Sequence, residues 1–181
     1  MGIKVNNRKY HKYVLIGLVF SVVIASIKSI FTDYNYDSGY AVATAYRIIR
    51  GEALFVTMWE PHQTSAFLCA LLMRLYMAVT GTTTGVVLYL HIMGIVLRVL
   101  ITTFFYHSMK ELLKKDILYL MCILLMVMSP KGVPMPEFSN MQLWFSVGLF
   151  CCLVNFLHNP NACRAKKSNN GIQKPLKRRL F

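Results

Sequence analysis

Seven acidic side chains are spread over 181 residues, and five of them, Asp33, Asp37, Glu52, Glu60 and Glu137, stand where apolar sequence opens into polar loops. Asp37 and Glu137 are the sharpest candidates for chemistry. A positioned carboxylate can take the proton of an attacking group, and Asp37, Glu60, His62 and Glu137 together offer hard and borderline ligands for a divalent metal ion. Arg74 brings a cation of the kind that holds charge developing on a phosphate. His91 and Arg98, seven residues apart on a helix, fall on one face, and ionisable groups inside a membrane turn toward a bundle interior or cavity.

Each candidate also has a plainer reading. Asp37 can cap a helix, Glu137 can cap within a proline-rich turn, and Glu60 and His62 can be solvated loop groups. Arg74 can snorkel to lipid headgroups. His91 and Arg98 can serve interior hydrogen bonding, and Trp59 can anchor at an interface. The methionines from Met121 to Met128 read as filler in a helix, not as a cofactor site.

The elements that must position these groups are apolar runs. Hydrophobic residues make up 56% of the chain and its mean hydropathy is +0.48, above the apolar share of soluble domains. The expected fold class is an all-α membrane protein with about four transmembrane helices, plus juxtamembrane helices in the first extracytoplasmic loop. Residues 1–12 form a basic cytoplasmic N-terminus, 13–158 the membrane domain, and 159–181 a disordered basic cytoplasmic tail. Tyr13 to Thr32 is the first span, read as a retained anchor because it is long for a signal peptide and lacks a small-x-small site after it. Residues 33–80 are the extracytoplasmic loop. Within it, Asp37 to Gly51 predicts a surface helix capped by those two residues, flanked by interfacial Tyr and Trp side chains. Pro61 suits the first turn of a further helix. Ser65 to Thr80 is too short to cross and is expected to dip. Val86 to His107 spans, Lys110 to Asp116 is a charged turn, Ile117 to Met128 begins another span, and Met141 to Leu157 is the last.

The formal charge is +13, which in a soluble protein would point to nucleic acid. Here 14 of the 20 Lys and Arg lie in three clusters beside apolar runs, Lys4 to Lys12, Lys110 to Lys115 and Arg164 to Arg179. That is the positive-inside pattern, so membrane lipids and not nucleic acid are the expected partners. If Ser65–Thr80 dips without crossing, all three clusters face the cytoplasm and Glu60 and Glu137 face outside. The five cysteines show no CxxC or Cys/His ligand spacing, so neither a disulfide framework nor a zinc site is expected.

The order of these elements resembles the N-terminal part of a GT-C membrane glycosyltransferase, closest to the protein mannosyltransferase and aminoarabinose transferase group. The carrying residues are Tyr36-Asp37-Ser38-Gly39-Tyr40 with Arg50-Gly51, then Trp59-Glu60-Pro61-His62-Gln63-Thr64-Ser65-Ala66-Phe67, and Pro134-Met135-Pro136-Glu137-Phe138-Ser139-Asn140. The resemblance implies transfer of a sugar from a polyprenyl-phosphate-linked donor to an acceptor at the extracytoplasmic face of a bacterial cell membrane. It assigns catalysis to Asp37 and Glu137, which could also hold a divalent metal ion, and substrate binding to Glu60, His62 and Arg74. Where many relatives carry a second acid beside the first, this chain has Ser38; where an Arg often opens the helix after the dipping segment, it has His91. Such enzymes carry several more spans, so the chain is expected to be a truncated portion of one, or to work with a complementing membrane subunit. The alternative is a non-catalytic multi-pass protein: a degenerate relative, an assembly partner or a transporter subunit.

Overall fold

The computed structural model of the chain describes residues 7–31, 36–57, 63–130 and 132–158, with side chains from residue 13 onward, Gln63 excepted. Among the described residues the architecture is all-helical, with six α-helices in order: α1 (Asn7–Ile30), α2 (Tyr36–Ile49), α3 (Ala66–Thr80), α4 (Val86–Met109), α5 (Lys115–Val127) and α6 (Phe138–His158). A short 3-10 turn, Gln63–Ser65, leads into α3.

Three helices, α1, α4 and α6, are long and apolar enough to cross a membrane. At about 1.5 Å per residue they reach the ~30 Å of a hydrocarbon core. The fourth expected span is shorter than that. α5 has 13 residues, about 20 Å of helix. Its end has a local cause: Pro130, Pro134 and Pro136 supply no backbone N–H, and their rings clash with a continuing helix. The chain goes on as a non-helical strap, and Val133, Pro134, Met135, Pro136 and Glu137 are all buried.

Buried irregular backbone persists only where other polar groups or water satisfy it. The strap meets that demand through side chains. Asn140 is fully buried and its Nδ2 donates to the carbonyls of Val133 at 2.7 Å and Met135 at 2.8 Å. The Ser129 hydroxyl donates to the Val133 carbonyl at 2.8 Å. Arg98 Nη1 donates to Met126 O at 3.0 Å, one of the last carbonyls of α5. A cation there also faces the negative end of the helix dipole. Gly94 on α4 makes the close approach possible, since a Cβ at that position would fall 1.6 Å from Pro134 O.

α5 runs antiparallel to α4, with Arg98 beside Met126 and Phe105 and Met109 packed with Leu118. α6 runs parallel to α4, as Asn155 Nδ2 donating to Ser108 Oγ at 3.0 Å fixes near their far ends. α1 lies along α5, Val14 near Asp116 and Val23 near Met126. The start of α1, the Lys110–Lys115 turn and the end of α6 therefore share one end of the bundle. The strap, the end of α1 and the pair α2 and α3 share the other.

α2 and α3 form a small layer at that second end. Ala41, Ala45, Ala66, Cys69 and Ala70 bring their backbones close, with Met73, Val86, Leu90, Val133 and Met135 completing one apolar core. α2 ends as its glycine predicts: Gly51 has φ +88°, its N–H donates to Ile48 O, and Glu52 N–H donates to Arg47 O, the paired bonds of a Schellman cap. α3 ends at Gly81, also left-handed, which donates to Met77 O.

Candidate functional site

Asp37 is the second residue of α2 and lies in its first turn, so it is not the cap expected from the sequence. Glu137 immediately precedes α6 and takes its N-cap position, its carbonyl accepting the Met141 N–H at 2.9 Å. Both carboxylates line one cavity of about 180 Å³ at the fold's second end, together with Tyr40, Ala41, Ser65, Phe138 and Ser139. Ser65 is the N-cap of α3. Residues from the N-terminal ends of α2, α3 and α6 thus line this cavity, and the partial positive charges of helix starts favour carboxylates there.

Glu137 is 2% exposed, and the buried Ser38 hydroxyl donates to its Oε2 at 3.1 Å across 99 residues of sequence. Ser38 stands where the resemblance expects a second acid. Here that place carries a hydroxyl, and it faces Glu137 of the strap. The sequence signal for Ser38 is its position next to Asp37; nothing local marks Glu137 as its partner.

The other candidates fall elsewhere. Arg74 is exposed on α3 and does not line this cavity. Glu60 and His62 lie outside the described residues, as do Trp59, Pro61 and the tail from 159 onward. His91 Nδ1 is 2.9 Å from Ile30 O. A carbonyl only accepts, so Nδ1 carries the hydrogen and His91 ties the end of α1 to α4. His91 Nε2, Arg98 Nε and Nη2, Thr102 Oγ1 and Trp144 Nε1 are buried without a hydrogen-bond partner among the described residues. The larger grooves between α1 and α5 are lined mainly by aliphatic side chains such as Val19, Val22 and Ile123, with Asp116 in one and Tyr119 and Cys122 in the other.

Among the described residues no group of three or more His, Cys, Asp or Glu converges on a metal position. The two carboxylates of the cavity remain a donor set of the type magnesium uses, one or two carboxylates with water and substrate phosphate completing the shell. Tyr40, Ser65, Ser139 and Asn140 lie within the motifs that carry the resemblance but have no role assigned there, Ser38 enters only as standing in place of an acid, and Gly94 is not singled out. Comparison of the chain with protein-family models, with curated proteins and with solved structures gave no match.

Proposed function

We propose that this chain forms part of a membrane glycosyltransferase of the GT-C type, moving a sugar from a polyprenyl-phosphate-linked donor to an acceptor hydroxyl at the extracytoplasmic face. The observation that carries this reading is the meeting of Asp37 and Glu137 in one cavity, at the end of the bundle opposite the basic Lys110–Lys115 turn. By the positive-inside rule the basic end is cytoplasmic, and the acidic cavity then opens on the outer side.

In this reading Asp37 takes the acceptor proton as the hydroxyl oxygen forms its bond to the sugar, and the donor phosphate departs with the electron pair of the bond that breaks. Glu137, more enclosed and held by Ser38, orients the acceptor. A divalent ion on Asp37 and Glu137 would supply positive charge toward the departing phosphate. Arg74, Glu60 and His62 are proposed to contact the donor. The cavity volume of about 180 Å³ is below the ~300 Å³ at which ligand pockets begin, so a complementing membrane subunit is proposed to build the rest of the donor site.

The same small volume, with the N-cap position of Glu137, favours a second reading, a non-catalytic membrane subunit. Sugar transfer in liposomes separates the two. Asp37→Asn is expected to lower turnover by about 10²-fold or more at unchanged expression; equal activity of the variant and the parent rejects catalysis by Asp37.

A further inference from the structure

The strap between α5 and α6 has no helical hydrogen bonds of its own to hold it, yet it carries the more buried acid of the cavity. We propose that Gly94, Ser129 and Asn140 are positioning residues whose joint task is to fix the register of this strap and so deliver the Glu137 carboxylate to Ser38. The proposal rests on the reading of Glu137 as a functional acid.

Asn140 is the central piece. It lies in the first turn of α6, three residues after Glu137, and its one amide group donates to two strap carbonyls, Val133 O and Met135 O. The Met135 carbonyl also accepts the Glu137 N–H at 2.8 Å, so the same oxygen ties the acid's own backbone to the clamp. Ser129 closes the loop from the other side. Its hydroxyl donates to Val133 O and lies 3.4 Å from Asn140 Oδ1. Gly94 sets the depth: the Pro134 carbonyl sits where a Cβ would be, so any side chain at 94 pushes the strap outward. A strap displaced by one residue would carry Glu137 away from Ser38 and put a proline or a phenylalanine in its place. Buried donors and acceptors left unpaired in a membrane also have no water to turn to, which makes the clamp all-or-none.

The test reads strap position without relying on turnover. A Met135→Cys reporter is placed in a background where the native cysteines other than Cys151 are replaced. Met135 and Cys151 are both fully buried, and they lie at opposite ends of the bundle. Labelling by a small membrane-permeant thiol reagent, read by mass spectrometry, is expected to be slow at both. Asn140→Asp keeps the side-chain size and removes the donors. It should speed labelling at position 135 by about 10-fold or more, as loss of buried hydrogen bonds opens the segment locally, and leave Cys151 protected. Unchanged labelling at 135 overturns the proposal, and so does fast labelling at 135 in the parent. If Asn140→Asp opens both positions, Ser129→Ala, which removes one hydroxyl, is read by the same criterion. In the transfer assay Ser129→Ala, which adds no titratable group, should lower kcat and move its pH profile, because the Glu137–Ser38 contact is loosened; a mere loss of folded protein leaves the profile unmoved. Absence of any transfer by the parent, with the strap protected, removes the catalytic reading and leaves the clamp standing.

Discussion

The two ends of the bundle are built by different means. At the basic end, Phe105, Met109, Leu118 and Cys151 pack as one apolar cluster, with Tyr106 and Tyr119 stacked at 6.3 Å and a cross-helix hydrogen bond from Asn155 to Ser108. The turn from α4 to α5 there is short and satisfies its backbone locally, Lys110 N–H donating to Tyr106 O and Leu112 and Leu113 N–H to Met109 O. At the other end the helical ladder stops. Side chains from α4 and α6 take over the backbone of the strap, and two acids share a cavity lined from three helix starts. Packing is forgiving of a similar shape, whereas a clamp of buried donors is not. The lesson is that the two acids of the cavity lie where the backbone is irregular and has been satisfied by specific polar partners.

The largest contrast should come from two glycines. Gly94→Val drives a side chain into the Pro134 carbonyl and is expected to cost about 3 kcal/mol or more by overpacking, seen as loss of folded protein in detergent thermal unfolding. Gly148→Ala, where a Cβ meets only Ile101 Cδ1 at 3.7 Å, should be neutral or stabilising by up to about 1 kcal/mol. Similar costs at both positions would erase the distinction between strap contact and ordinary helix packing.

Truncation at the basic end tests the packing side. Leu118→Ala, at a residue only 2% exposed, should cost about 2–5 kcal/mol and Leu118→Met less than about 1.5 kcal/mol, with neither moving the pH profile of turnover. A moved profile would mean the two ends are coupled. Asp37→Asn should do the reverse, removing about 10²-fold of turnover while changing stability by only about 0.3–1 kcal/mol, the worth of a charge at a helix start.

The smallest expected signal is an absence of labelling. In a cysteine-free background, a cysteine at position 114 should stay unlabelled by an impermeant reagent from outside, while one at the exposed Val56 should label. Labelling at 114 would put both ends on the same side and end the assignment of faces.

Much of the frame was legible in the sequence because it is written in local spacing. Apolar runs marked the bodies of α1, α4 and α6, Gly51 and Gly81 marked the ends of α2 and α3, and the shortness of Ser65–Thr80 foretold a helix that is not a full span. The acids Asp37 and Glu137 stood out because carboxylates are few in such a chain. The tertiary structure alone decided that these two share a cavity, that Ser38 and not an acid faces Glu137, that α5 stops after 13 residues, and that Gly94 and Asn140 hold the strap beyond it. The physical reason is one of range. Helix periodicity and capping depend on residues three or four apart, so they can be read along the chain. A hydrogen bond across 99 residues and a carbonyl seated on a glycine exist only after α4, α6 and the strap have packed together, and no local pattern records which partner that packing will supply.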